Sequence, residues 1–372
     1  MKKLHYIFAA LLLLNACEEP NGGNGGTPQV VAPTETTSLH GFYLLNEGNM
    51  GSNKATLDYF DFATGTYTLN VYTQANPSVP MELGDVGNDL KRYGGRLYAV
   101  INASNKVEIM DLTSAKRIGQ TNIANCRYIA FHEEYAYVTS YAGPIQLYPQ
   151  YEQKGYVLKL DTLTMQVVDT CLVGFQPDEL AIVDGKIYVA NSGGYLSPNY
   201  ENTLSVIDVE TFEEQQRIVV DVNLHRVRAD KYGKLWVTSR GDYQGNKSRI
   251  FCIDTQQNKV IDTLDIPCSN MCIVGDSLYY CANDFNYNSM TETGTCGIIN
   301  VKTHSILTQQ FVKEDISLIK PYGVMVNPQT SDVYLTDARD CVTPGILYCL
   351  DKNGKMKWKT RTGDIPAHFV VW

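Results

Sequence analysis

One pattern recurs seven times along the chain, and it restricts the possible folds more than any other feature. The stretches FYLLNEGN, LYAVINAS, AYVTSYAG, IYVANSGG, LWVTSRGD, LYYCANDF and VYLTDARD each set an aromatic residue beside aliphatic ones in a short β-prone run. Each is followed by a second run ending in an acidic or amide residue: LDYFD, VEIMD, VLKLD, LSVID, IFCID, GIIN and LYCLD. Those ends fall at 61, 111, 161, 208, 254, 300 and 351, with spacings of 50, 50, 47, 46, 46 and 51 residues. Such a period fits a four-stranded propeller blade. An apolar run precedes most copies, as DELAIVDG precedes KIYV, and a further strand such as EEQQRIVV follows, with Asp, Gly or Asn in the turns. Period-two alternation and these turn residues specify antiparallel hairpins, and no segment carries a convincing amphipathic helix. The expected fold is all-β, a seven-bladed β-propeller of four-stranded antiparallel blades. With 372 residues, 44% of them hydrophobic and 19% charged, the chain has the length and the apolar content for one such unit.

The two ends of the repeat region complement each other. The first copy, near Gly41, lacks its preceding apolar strand, and the sequence closes on an unpartnered one, IPAHFVVW. Placed as the innermost strand of the first blade, that tail closes the ring and removes exposed sheet edges. Deleting residues 364–372 is therefore expected to unfold the domain.

In such a ring, the loop leading into each innermost strand opens on the same face as the loop between the second and third strands. The innermost strands are expected to start near Asp89, Tyr128, Glu179, Arg226, Met271, Tyr322 and His368. The inter-strand loops add Asn46, Glu47, Asn102, Tyr141, Asn191, Tyr195, Arg240, Asp242, Asn283 and Asp337. One face would then gather amides, carboxylates, guanidinium groups and phenols, a mixture suited to a large polar ligand. All of these residues except Met271 and Glu47 form the candidate ligand-binding set. The loops of copies three, four and six are long and aromatic, as binding loops on rigid scaffolds tend to be.

Enzyme signatures are mostly absent: there is no nucleophile elbow, Walker loop, two-histidine zinc helix or four-cysteine zinc spacing. No catalytic residue, metal ligand or resident cofactor is assigned. Asp89, Glu179 and His368 on one ring could hold a divalent cation, as in calcium-dependent lactonase propellers, and this keeps a metal-dependent lactonase or lyase as an alternative. A glycan- or protein-binding propeller is a third reading. It is weakened by the placement of Trp236, Trp358 and Trp372 in strands rather than as exposed platforms.

The N-terminus MKKLHYIFAALLLLNAC sets two lysines before an apolar run too short to span a bilayer, the pattern of a secretory signal. Leu14-Asn15-Ala16-Cys17 resembles the bacterial lipobox, which implies a signal peptide over 1–16 and lipidation at Cys17. Residues 17–40, rich in Gly, Asn, Pro and Thr, read as a flexible tether before a propeller domain over 41–372. The net charge of −9, with no basic stripe, disfavours nucleic acid as a partner. Ten cysteines become nine once Cys17 is lipidated, an odd number that argues against a complete disulfide framework. Cys252 and Cys349 fall at strand positions where other copies carry Ile109 or Val206, and read as small buried hydrophobes. Cys281 and Cys296 bracket one loop and are the best disulfide candidate.

The tandem IYVANSGG…NTLSVID and LWVTSRGD…RIFCID pattern resembles the YncE-like propellers. Together with the lipobox, the Glu18-Glu19 pair after it and the Gly/Asn/Pro tether, seven such blades look like the BtuG-type surface lipoproteins of gut Bacteroidetes. The resemblance implies a lipid-anchored protein on the outer face of the outer membrane. It further implies a non-enzymatic protein that captures vitamin B12 (cobalamin) and related corrinoids such as cobinamide. The ligand would then pass to a TonB-dependent outer-membrane transporter.

Overall fold

The computed structural model describes residues 26–33, 37–79, 82–145, 147, 152–286, 291–313 and 316–372. The signal segment 1–16 and Cys17 lie outside the described residues. Seven antiparallel sheets follow one another along the chain and close into a β-propeller, as the repeat predicts. Blade 4 shows the plan: innermost strand Pro177–Val183, then Lys186–Asn191, Thr203–Asp208 and outermost Glu214–Val219.

The repeated motif is the second strand of each blade, and its alternation explains the ring. Successive side chains of a strand point to opposite faces, and both faces of this strand are covered by neighbouring blades. In blade 4, Ile187 and Val189 join the cluster shared with blade 3, while Tyr188 and Ala190 join the cluster shared with blade 5. Blade 2 does the same, with Leu97 and Ala99 facing blade 1 and Tyr98 and Val100 facing blade 3. The aromatic of the motif thus packs onto the following blade, and Tyr188 OH donates to Thr255 O in the next blade's turn at 3.2 Å. Seven apolar clusters result, one at each interface around the ring.

The acidic residue that ends each third strand is a turn former. Asp161 accepts from the N–H groups of Leu163 and Thr164, Asp208 from Glu210 and Thr211, and Asn300 from Lys302 and Thr303. These bonds, above all from the Thr164 and Thr211 amides, hold the Asp161 and Asp208 carboxyls below the usual carboxylate range. The turn needs a left-handed residue four positions on, supplied by Ala115, Met165, Phe212, Asn258 and His304 as well as Gly65. The carboxylate bonds to the turn amides offset that unfavourable backbone.

The ring closes as expected: Pro366–Val371 pairs with Gly41–Asn46, Leu45 opposite His368, and becomes the innermost strand of blade 1. The outer edge of the same blade gains a short fifth strand, Gln29–Val30, paired with Thr66–Thr68. These two residues come from the stretch read as a tether, and Ala32 beside them is buried. A five-residue helix, Val71–Ala75, leads out of this blade and buries Tyr72, whose hydroxyl donates to Glu108 at 2.9 Å. Copy six has a tall hairpin where a long loop was expected: Ser277–Asn286 and Thr291–Asn300 stay paired up to Asn286 and Thr291.

Cys252 and Cys349 are buried hydrophobes, as read. Cys281 and Cys296 do sit directly opposite one another on paired strands, but both are free thiols in the core. Cys281 donates to Tyr322 O at 3.3 Å, and burial pushes its thiol up to about 12.

Candidate functional site

A feature of the innermost strands builds the site. In six of the seven blades the pairing with the second strand slips near the start of the innermost one, between 87 and 89, 126 and 129, 177 and 180, 224 and 227, 321 and 324, and 366 and 368. A bulge breaks strict alternation, so two consecutive side chains can both face away from the sheet. Arg127 with Tyr128, Asp178 with Glu179, and His225 with Arg226 are such pairs. They bond around the ring rather than along their own strands.

Asp178 is fully buried at the centre of one network. Its Oδ1 accepts from Arg127 Nε at 3.1 Å and from Tyr141 OH at 3.0 Å, and its Oδ2 accepts from Arg240 Nη1 at 2.7 Å. Burial alone would raise its pKa, but Arg240 and Arg127 outweigh burial and hold it below the usual range. The Arg127 guanidinium also lies over the Tyr141 ring, 5.0 Å from its centroid. A second network joins Arg226, whose Nη1 donates to Tyr128 OH at 3.1 Å, to His225, whose Nε2 lies 3.1 Å from the same oxygen. Burial, reinforced by Arg240, Arg226, Arg127 and Arg228, drives the His225 pKa well below its ordinary value, so the imidazole is neutral. On the far side of the channel, Glu47 accepts from Tyr322 OH at 2.9 Å and bonds His368 Nε2 at 3.1 Å.

These networks border a cavity of about 430 Å³ at the mouth of the channel. Seven of the predicted site residues line it: Asn102, Tyr128, Tyr195, Arg226, Arg240, Asn283 and Tyr322. The other eight do not. Asn46 and Asn191 are fully buried, and their amides donate across to the third strand, to Thr56 and Asp58 and to Thr203 and Ser205. Asp337 accepts from the Ile319, Lys320 and Arg339 amides, and Asp242 from Gln244, Gly245 and Asn246, so both shape loops. Asp89 and Glu179 each clamp the innermost strand of the next blade, at Ile129 N and Val227 N, and each is paired with a cation, Lys91 and Arg228. Tyr141 is held by Asp178, and His368 by Glu47. Met271, expected at the mouth, is core between blades 5 and 6.

The candidate cation ring of Asp89, Glu179 and His368 is thus divided among three separate pairings. Among the described residues no cluster of three His, Cys, Asp or Glu side chains could hold a metal ion. Sequence reading missed Asn88, Arg127, Tyr243 and Lys247 in the cavity wall and Asp178 behind it. The bulge shifts the ring by one residue, and alternation carries no trace of it.

The loop Asn191–Tyr195 is built to display one side chain. Gly193 has φ +53°, and a Cβ there would lie 2.4 Å from Glu201 N, so only glycine fits. Ser192 Oγ donates to Gln176 O at 2.7 Å, and Tyr195 N donates to Gln176 Oε1 at 2.7 Å. With its backbone pinned, Tyr195 stands 43% exposed on the rim, matched by Tyr243 at 42% from the next blade.

Fold and site together define an all-β, seven-bladed propeller with a polar, arginine- and tyrosine-rich cavity at one mouth. The chain belongs to the family described as a domain of unknown function, DUF5074, which matches residues 40–346. No curated protein matches it. Among solved structures it is similar to a quinonprotein alcohol dehydrogenase-like protein from Bacteroides thetaiotaomicron, at 13% identity and a TM-score of 0.59 over 89% of this chain and 78% of that one. It is also similar to a Bacteroides fragilis protein named for 6-phosphogluconolactonase, at 11% identity and a TM-score of 0.63 over 91% and 100%. The hydrazine synthase of Kuenenia stuttgartiensis matches at 16% identity and 0.56 over 71% and 76%. At these identities the likeness shows the fold alone.

Proposed function

We propose that this protein is a non-enzymatic capture module that takes a corrinoid, cobalamin or cobinamide, at the channel mouth. As a lipid-anchored protein of the cell surface it hands that ligand to a TonB-dependent transporter. The observation that carries the binding reading is the composition of the cavity wall: amides from Asn88, Asn102 and Asn283, phenols from Tyr128, Tyr195, Tyr243 and Tyr322, and guanidinium groups from Arg127, Arg226 and Arg240. A corrinoid is a broad, rigid ring fringed with amides, and such a wall offers it hydrogen-bonding partners and flat apolar area together. A cavity of about 430 Å³ fits one edge of that ring, leaving the rest against the exposed Tyr195 and Tyr243. The anchoring half of the reading is supported by the lipobox-like Leu14–Cys17 stretch.

The test is titration of the mature chain with cyanocobalamin and with cobinamide, followed by calorimetry and absorbance. Saturable binding at micromolar concentration or below is expected. Absence of binding at micromolar concentration by either method ends the corrinoid reading.

A further inference from the structure

We infer that the mouth contains a subsite for an oxyanion, a carboxylate or phosphate carried by the ligand, bound by Arg226, Arg240 and Arg127. The inference rests on the mouth being a binding face, but not on the ligand being a corrinoid.

Charge is the first observation. The chain carries a net −9, yet Arg127, Arg226, Arg240 and Lys247 all line this one cavity. A single carboxylate lines it with them, Glu47, and that group is already bonded to Tyr322 and His368. In a recess with protein walls, such an imbalance concentrates anions.

The donor inventory is the second. A guanidinium group has five N–H donors and no acceptor. Among the described residues, Arg226 bonds through Nε to Ser269 O and through Nη1 to Tyr128, Arg240 through Nη1, and Arg127 through Nε. The Nη2 groups of Arg226 and Arg240, and both Nη groups of Arg127, have no protein acceptor among those residues.

His225 supplies the third. Because guanidinium only donates, Tyr128 oxygen accepts from Arg226, and its own proton is free to go to His225 Nε2. Burial pushes the Tyr128 phenol up to about 12, so that proton is present at neutral pH. His225 Nδ1 is buried with no hydrogen-bond partner among the described residues. A buried polar nitrogen left unpaired is unfavourable. The three guanidinium groups thus present donors to one recess beside a neutral imidazole, and an oxyanion is the chemistry that answers donors alone.

Calorimetric titration of the mature chain with inorganic phosphate and with citrate, at low chloride and up to millimolar concentration, tests the subsite. At least one anion is expected to bind saturably and to weaken as KCl is raised. R226Q is expected to weaken binding about tenfold. K247Q, which removes an exposed cation from the rim and no internal contact, is expected to weaken it about twofold. Preference for phosphate or for citrate assigns the group. No binding of either anion, or binding that K247Q and thermally folded R226Q leave unchanged, overturns the subsite. Cyanocobalamin, which carries a phosphodiester, and cobinamide, which carries none, separate the two readings. Anion binding without corrinoid binding keeps the subsite and ends the corrinoid reading. Corrinoid binding by a protein that binds neither anion does the reverse.

Discussion

Asp178 shows how one carboxylate can organise a charged site at the end of a β-propeller. Fully buried, it is shared by Arg127, Arg240 and Tyr141, from blades 3 and 5. Without it two guanidinium groups would face each other with no counter-charge, and removing one partner of such a largely buried network typically costs about 3–5 kcal/mol. D178N is accordingly expected to lower stability at neutral pH by about 3 kcal/mol, read as a drop in chemical-denaturation midpoint. Its pKa is depressed in the folded state, so this stabilisation is present above the unfolded carboxylate value and is lost as pH falls through the lower folded value. Wild type and D178N should therefore converge on acidification, and a gap that persists unchanged in strong acid would contradict the assignment. None of this was legible from the sequence. Asp178 and Glu179 are adjacent acids, and alternation assigned the mouth to Glu179, because the bulge that brings Asp178 to the wall leaves no mark in the pattern of apolar residues.

At the level of the strand and the loop, the sequence was more informative. The motif strands, the third strands and their terminal Asp residues were readable because burial on both faces and turn chemistry each impose a fixed residue type at a fixed spacing. What those residues do was less readable: Asn46 and Asn191 look like rim amides, but they close their own blades from within. Asn46 and Asn191 are the last residues of their second strands, whereas Asn102, Tyr141 and Arg240 sit one residue beyond theirs. Trp236 is fully buried between blades 5 and 6. W236A is expected to destabilise the ring by about 3–5 kcal/mol, measured by denaturant unfolding. G193A addresses display rather than packing. The left-handed backbone and the 2.4 Å approach to Glu201 N oppose any side chain, so the loop must move and Tyr195 with it. The cost should be about 1–3 kcal/mol of loop strain, and ligand affinity should fall more than melting temperature does.

For the whole molecule, closure is the decisive element. The innermost strand of blade 1 comes from Pro366–Val371 and its neighbours from Gly41 onward, so the first blade is complete only when the two ends of the repeat region meet. Removal of residues 364–372 leaves Gly41–Asn46 as an open edge in the channel wall and strips His368 from Glu47. The truncated chain is expected to lose its cooperative thermal transition in circular dichroism. An unchanged melting temperature would show that the ring does not depend on this strand. The pairing also has a consequence for biosynthesis. Blades 2 to 7 each take their strands from one continuous stretch and can form in turn as the chain appears, but the ring has no seal until residue 371 has arrived. Every prematurely terminated product would carry an unsealed first blade, accessible to proteases. The first blade to be started is thus the last to be finished.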